Sequence, residues 1–320
     1  MSTQDLIVTT LNKYSETLYD NVLKHNALLS NLESKGQVQL LDGGSFIEED
    51  LMYAENSTFK WYSGYELLET TSSPVLTSAK FEWKQANANV VISGEEMRKN
   101  SGAKTRKHNL IESRIKVCEK TMKNRIGASL FSDGTAYGGK EITGLQALIS
   151  DSPTTGIVGG IDRATNVWWR NQVYSFNAEQ GIAAGATPTE AEFIKAMDEL
   201  FIRCTRDEDT PTMIIADARY YGLYKAVCQN IKRITTSVTA DAGFRTLEYE
   251  GVPVYFDINC PQNHMYFINT DYMFFKSHKD ANFKLDKERL PYNQDASIYP
   301  MIFMGNLTIS NCNLQGVLKA

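Results

Sequence analysis

Histidine is scarce in this chain of 320 residues; there are four, His25, His108, His264 and His278. No two of them form an H-E-x-x-H pair, which excludes the helical zinc-hydrolase arrangement. The five cysteines, Cys118, Cys204, Cys228, Cys260 and Cys312, contain no C-x-x-C. Neither a zinc ribbon nor a disulfide framework follows from that spacing, and buried, reduced thiols are expected. Cys260 and His264 stand four apart but would need two further metal ligands from elsewhere, so a packed turn is the simpler reading. The longest apolar runs cover a few residues, as in Met213-Ile214-Ile215-Ala216, far short of the roughly 20 that cross a bilayer. Met1-Ser2-Thr3-Gln4-Asp5 carries neither the basic nor the apolar part of a secretion signal. Positive charge is also in deficit. With 33 Lys and Arg against 38 Asp and Glu the net charge is −5, so any contact with nucleic acid must come from a local patch.

Catalytic signatures are missing in the same way. Gly156 to Gly160 lacks the G-x-x-x-x-G-K-[ST] spacing of a phosphate loop, no G-x-G-x-x-G opens a helix, and no G-x-S-x-G elbow occurs. The adjacent carboxylates Glu48/Glu49 and Glu95/Glu96 fit solvation or pairing between subunits. No cofactor and no metal are expected. An enzyme with its site in the loop Gly156–Asp162 is the catalytic alternative.

What is present is enough apolar sequence, 42% of residues against 22% charged, for a real core in one or two domains. Ile7, Leu11, Tyr14, Leu18, Val22, Leu29 and Leu32 recur at three- and four-residue spacings and predict a helix over the first 35 residues, with Gly36 as its stop. From Leu41 to Phe59 no Lys or Arg interrupts an acidic, turn-rich passage. Two period-two stretches follow. Phe59, Trp61, Ser63, Tyr65 and Leu67 share one face of the first, and Val75, Thr77, Ala79, Phe81 and Trp83 one face of the second. With a short strand at Asn89–Ser93 they predict a long aromatic hairpin over 56–93. Its arms would reach roughly 40–60 Å, and a two-stranded ribbon alone in water is marginal, so it must rest on its own domain or on a neighbouring chain.

Ile111, Ile115, Cys118, Met122 and Ile126 predict a long helix from Lys104 to Phe131, ended by Ser132-Asp133-Gly134. Between Arg98 and Arg125 lie ten Lys or Arg and two acids, a surplus of eight positive charges. The stretch from Thr135 to about Gly185 reads as glycine-rich loop. Thr187-Pro188-Thr189-Glu190 reads as a capping box with proline at the first helical position. Behind it a helix would bury Phe193, Ile194, Met197, Leu200, Phe201 and Cys204. Pro211–Ala216 reads as a buried strand, and Asp217 as the cap of a helix bearing Tyr220, Tyr221, Leu223, Tyr224 and Val227. Gly251–Phe256, Met265–Ile268, Tyr272–Phe275 and Met301–Ile309 read as strands. Helices and strands are segregated rather than alternating, so the fold class is α+β.

An aromatic ribbon too long to stand alone, a basic helix after it and an acidic passage before it suit a subunit completed by its neighbours. Aromatic residues enrich interface cores, and complementary charge steers association. Several strings then carry a specific likeness: Leu41-Asp42-Gly43-Gly44, Tyr53-Ala54-Glu55-Asn56-Ser57-Thr58, Trp61-Tyr62-Ser63-Gly64-Tyr65, Phe81-Glu82-Trp83-Lys84-Gln85, Ser132-Asp133-Gly134-Thr135, Gly159-Gly160-Ile161-Asp162-Arg163-Ala164-Thr165 and Trp169-Arg170-Asn171-Gln172. From about Leu11 onward the chain resembles the major capsid proteins of tailed bacteriophages with the Hong Kong 97 fold.

That resemblance implies an N-terminal arm (1–55), an extended β-hairpin loop (56–93), a peripheral domain with a long spine helix (94–143), an axial domain (144–284) and return strands of the peripheral domain (285–320). It implies a structural protein, not an enzyme, that assembles from pentamers and hexamers of itself into an icosahedral head around double-stranded DNA, in a virion built in the host cytoplasm. The partners it implies are other copies, a portal and decoration proteins, with no membrane. The short stretch before the arm passage points to a separate scaffolding protein. Expected inter-subunit contacts are Phe59, Trp61, Tyr62, Tyr65, Phe81 and Trp83. Expected DNA-facing or acid-pairing cations are Lys104, Arg106, Lys107, Arg114, Lys116, Lys120, Lys123 and Arg125. The other shell this resemblance allows is an encapsulin-like compartment holding protein cargo.

Overall fold

One long strand organises the first sheet. In the computed structural model, which describes residues 26–99, 104–183, 185–230 and 247–320 and only the backbone of 97, 99, 104–112, 229, 230 and 285, this strand is β14 (Ala296–Ile309). It pairs antiparallel with β4 (Lys84–Ser93) from Ala296 to Gly305. It also pairs with β13 (Lys284–Leu285) and, beyond Gly305, with β12 (Met273–His278). β1 (Val38–Leu41) lies parallel to β12 and completes five strands. The anticipated helix over the first 35 residues falls outside the described residues except for its end, α1 (Ala27–Ser34), which buries Leu28, Leu29 and Leu32.

The second sheet has the order β7-β15-β11-β8-β10-β9. Its strands are β7 (Gln172–Ser175), β8 (Met213–Ala216), β9 (Leu247–Tyr249), β10 (Val252–Phe256), β11 (His264–Ile268) and β15 (Gly316–Lys319). The unbroken apolar run of β8 follows from its place between β10 and β11, with both faces covered. Met213 and Ile215 join the core shared with α1 and the first sheet, whereas Ile214 and Ala216 face a second core. That second core is closed by α3 (Glu190–Arg203) through Phe193, Met197 and Leu200, and by α4 (Ala218–Asn230) through Tyr220 and Tyr224. Fully burying side chains of this size contributes about 1.5–3 kcal/mol each.

The long basic segment forms α2 (Lys104–Ser129). Ile115, Cys118, Met122 and Ile126 are buried along one stripe, as their spacing requires. Asp217 caps α4, its Oδ1 accepting from Tyr220 N at 2.9 Å.

Several expectations are corrected. Thr189, not Thr187, caps α3: its Oγ1 accepts from Glu192 N at 3.4 Å, and Glu192 reaches back to Thr189 N at 2.8 Å. The expected loop over 135–185 contains β7 and the short helix Phe176–Gln180. Phe59–Leu67 is not a strand, and the partner of Leu76–Phe81 (β3) is Ile47–Met52 (β2), inside the passage read as turns. A strand forms only where a ladder partner is in register, and β2 supplies alternate inward residues, Ile47, Glu49 and Leu51. Two strands cross the expected domain limits. β12 lies in the first sheet although it falls within 144–284, and β15, unforeseen, sits inside the second sheet although it falls within 285–320.

Candidate assembly surface

The β2–β3 ribbon carries at its tip a loop, residues 53–75, with no ladder of its own. Tyr53 N donates to Val75 O at 3.1 Å where the limbs leave the ribbon, and the Tyr53 ring stacks on Trp168 at 5.4 Å. Beyond that point side chains hold the limbs together: Ser57 and Ser73 hydroxyls meet at 3.1 Å, and Lys60 Nζ donates to Leu67 O, while Asn56 Oδ1 makes a local turn by accepting from Thr58 N at 3.0 Å. Gly64 turns the chain at φ +60°, a left-handed conformation that favours glycine.

The aromatic residues of this loop face outward. Trp61 is 90% exposed, and Phe59, Tyr62, Tyr65, Leu67 and Leu68 are exposed as well. Phe59 packs edge-on to Trp61 at 5.8 Å.

The other two expected contact residues behave differently. Phe81 is 4% exposed and belongs to the core of its own subunit. Trp83 is half-buried against that core, and its Nε1 donates to Gly44 O at 2.9 Å. Phe81 thus packs within its own subunit, and Trp83 leaves only part of its ring open, both at the base where the ribbon rejoins the body.

That base is braced from two sides. On one, Lys276 of β12 meets Glu49 of β2 at 2.7 Å with both side chains nearly inaccessible, and Thr308 Oγ1 donates to the same carboxylate oxygen at 2.5 Å. On the other lies the Gly156–Asp162 region considered above for an active site. It forms a small hairpin, β5 (Ile157–Val158) and β6 (Ile161–Asp162), whose Gly159 O accepts from Lys80 N at 2.8 Å. Gly159 has φ +59°, and a Cβ there would stand 2.8 Å from the Ala79 Cβ and 3.1 Å from Phe81 Cζ. The glycines let this hairpin close on β3. Gly159→Ala is therefore expected to cost about 2–4 kcal/mol, from a left-handed alanine plus overpacking. Chemical denaturation checks this, and a loss under 0.5 kcal/mol would contradict the brace.

The basic helix is partly engaged within the chain. Arg114 binds Glu96 and Val91 O; the Ser93 N–H donating to the Glu96 carboxylate, and then the Arg114 charge, hold that carboxyl below its ordinary range. Lys123 pairs with Glu119 at 2.9 Å. Lys116, Lys120 and Arg125 are exposed. The side chains of Lys104, Arg106 and Lys107 lie outside the described residues.

Cys260 and His264 are not a ligand pair. The Cys260 thiol donates to His264 O at 3.6 Å, while the imidazole lies between Asp151 Oδ2 at 2.9 Å and Gln262 O at 2.7 Å. No cluster of three metal-ligating side chains occurs among the described residues. Burial pushes the thiols of Cys118, Cys204, Cys260 and Cys312 up, away from the reactive thiolate. No helix among the described residues is long and apolar enough to cross a membrane.

The Asp151–His264 pair gives stability a pH signature. Burial opposes the charge on His264, but the Asp151 hydrogen bond prevails and raises its pKa; for Asp151 burial likewise opposes charge, and His264 prevails and lowers it. The histidine contribution is complete below about pH 6.5 and lost as pH rises through the raised value; the aspartate contribution is present above about pH 4 and lost below it. Stability from this partly exposed pair, about 0.3–1 kcal/mol, should peak near pH 5–6. Thermal melts from pH 4 to 8 should show this dependence flattened in His264→Gln, and identical profiles for the two proteins would refute the pairing.

No protein-family model and no curated protein matches the sequence. Solved structures do match over nearly the whole chain. The capsid asymmetric unit of cyanophage A-1(L) superposes with a TM-score of 0.61 at 14% identity, covering 89% of this chain and 90% of that one. The capsid of an empty GTA particle gives 0.60 at 12% identity, covering 90% and 88%. The holo-SrpI encapsulin complex from Synechococcus elongatus PCC 7942 gives 0.57 at 11%, covering 88% and 84%.

Proposed function

We propose that this chain, whose fold is the Hong Kong 97 type, is the major capsid protein of a tailed bacteriophage and builds an icosahedral head around double-stranded DNA. The observation that carries this is the loop over 53–75, which holds its aromatic residues away from its own body on a ribbon braced at the base. In a lone subunit that surface is unfavourable; in a lattice a neighbour covers it. The role is mechanical rather than catalytic. Many modest interfaces engaged at once give a shell its collective stability.

In this reading the five-stranded sheet with α2 is the peripheral body, and the six-stranded sheet with α3 and α4 is the axial body. Phe59, Trp61, Tyr62 and Tyr65 are the inter-subunit contacts. Lys120 and Arg125 are the exposed spine-helix cations we assign to non-specific phosphate neutralisation, since Arg114 and Lys123 already pair with acids. A separate scaffolding protein, a portal and decoration proteins are the further partners, and assembly takes place in the host cytoplasm.

The likeness to an encapsulin keeps a second reading in view, a compartment loaded with protein rather than a genome. Electron microscopy of the purified protein, alone and with a candidate scaffold, tests the shell itself. Closed particles are expected, and a chain that stays monomeric under both conditions would overturn the proposal. Particles from the native host that contain cargo protein and no DNA would establish the second reading instead.

A further inference from the structure

Asp-Gly occurs twice in the chain, at Asp42-Gly43 and at Asp133-Gly134. The pair has a chemistry of its own. The glycine's backbone nitrogen attacks the aspartate Cγ readily, because glycine has no Cβ to hinder the approach or restrict the turn. The amide proton and the carboxyl hydroxyl leave as water, and a succinimide ring closes. Water then reopens the ring at one carbonyl or the other, giving back aspartate or giving isoaspartate, whose main chain is one methylene longer. No co-reactant but water is required. The reaction does require a carboxyl free to turn and take up a proton, and a glycine N–H not engaged elsewhere.

Both aspartates are exposed, so access does not separate the two sites. Hydrogen bonding does. Asp133 Oδ1 accepts from Thr135 N at 3.0 Å and from Thr135 Oγ1 at 2.8 Å, bonds that hold its carboxyl below the ordinary range. Gly134 N donates to Ser132 Oγ at 3.2 Å. Electrophile and nucleophile are both occupied there. Asp42, by contrast, makes one loose contact, 3.5 Å from Lys279 Nζ, and its side chain is 87% exposed. Among the described residues no group accepts a hydrogen bond from Gly43 N. A Cβ placed at Gly43 would have only His278 Nε2 nearby, at 3.5 Å, so the chain has room to close the ring. We propose that Asp42-Gly43 is a site of spontaneous isomerisation to isoaspartate in the folded protein, and that the fold protects Asp133-Gly134. The position bears on the ribbon. Leu41 is in register with His278 of β12, and Gly44 O takes the Trp83 Nε1 bond. The added methylene therefore enters between the first sheet and the ribbon's base. The inference does not rest on the shell reading.

Ageing the full chain in mildly acid buffer tests it, with peptide mapping by electron-transfer fragmentation and methyl uptake from an isoaspartate methyltransferase. Isoaspartate should accumulate at position 42 about tenfold faster than at 133, since the bonds at Asp133 and Gly134 must break first. In denaturant, where those bonds are gone, the two sites should react at similar rates. Asp42→Glu keeps the charge but would need a larger ring, and it should abolish the methyl uptake mapped to this peptide. Folded protein without isoaspartate at 42, or with equal accumulation at 42 and 133, would overturn the proposal. So would a difference between the sites that survives denaturation, or uptake on this peptide that persists in Asp42→Glu.

Discussion

Replacing Trp61 and Tyr65 together by alanine is expected to lower the yield of closed shells at least tenfold and to leave the unassembled subunit as stable as before. The two halves of this expectation have one cause. Trp61 is 90% exposed in the subunit and Tyr65 is fully exposed, so truncation removes almost nothing from the subunit's own core. Surface substitutions of that kind stay within about 0.5 kcal/mol, a shift of one or two degrees in melting temperature for a chain of this size. If a neighbour buries them, each ring contributes about 1.5–3 kcal/mol to the contact. Losing both weakens one contact by roughly 3–6 kcal/mol, more than a hundredfold, and the loss recurs at every subunit. Particle counts by electron microscopy and thermal melts of the unassembled protein read the two halves separately. Assembly at wild-type yield would remove the loop from the interface. A melting temperature lower by many degrees would mean that these rings belong to their own core.

The sequence made some of this architecture plain and concealed other parts, and the division has physical reasons. The spine helix was legible because Ile115, Cys118, Met122 and Ile126 keep one face over several turns and all pack on the same core. β8 was legible because four consecutive apolar residues behind Pro211 and before Asp217 are too few for a buried helix and fit a strand covered on both faces. The ribbon was misplaced by one strand for a reason that also bears on function. Period-two aromatic residues at 59–67 look like an inward face, but here they decorate a loop, and sequence alone does not say whether an apolar face is covered by its own chain or by another. β2 was concealed by Glu49, since an acidic residue at an inward position reads as solvent-facing unless its buried partner, 227 positions later at Lys276, is known. β15 was concealed by its length: four residues, Gly316–Lys319, carry no pattern of their own and are strand only because β7 and β11 lie on either side. The sequence singled out Phe59, Trp61, Tyr62 and Tyr65, which the fold leaves exposed, but gave no sign of the brace beneath them.

The brace yields the other large effect. Glu49 and Lys276 are both close to fully buried, 2.7 Å apart, and they connect the ribbon to the first sheet. Removing one partner strands a charge where water cannot reach it. Lys276→Met alone is therefore expected to cost about 3–5 kcal/mol, and Glu49→Leu alone about as much. Thr308 loses its 2.5 Å acceptor in the second variant and keeps only Phe274 O at 3.4 Å, so Glu49→Leu should be the worse of the two by up to about 1 kcal/mol. The double variant replaces the pair by apolar groups of similar volume and should recover most of the loss, because both desolvation penalties vanish together. Denaturant unfolding of the four proteins forms a thermodynamic cycle with an expected coupling of several kcal/mol. Additive single losses would show that the pair does not act as a unit. The comparison with the loop variant completes the logic: the loop substitutions should affect assembly and spare folding, whereas breaking the brace should affect folding first, and assembly only because a subunit with a loosened ribbon no longer presents Trp61 and Tyr65 in a fixed place.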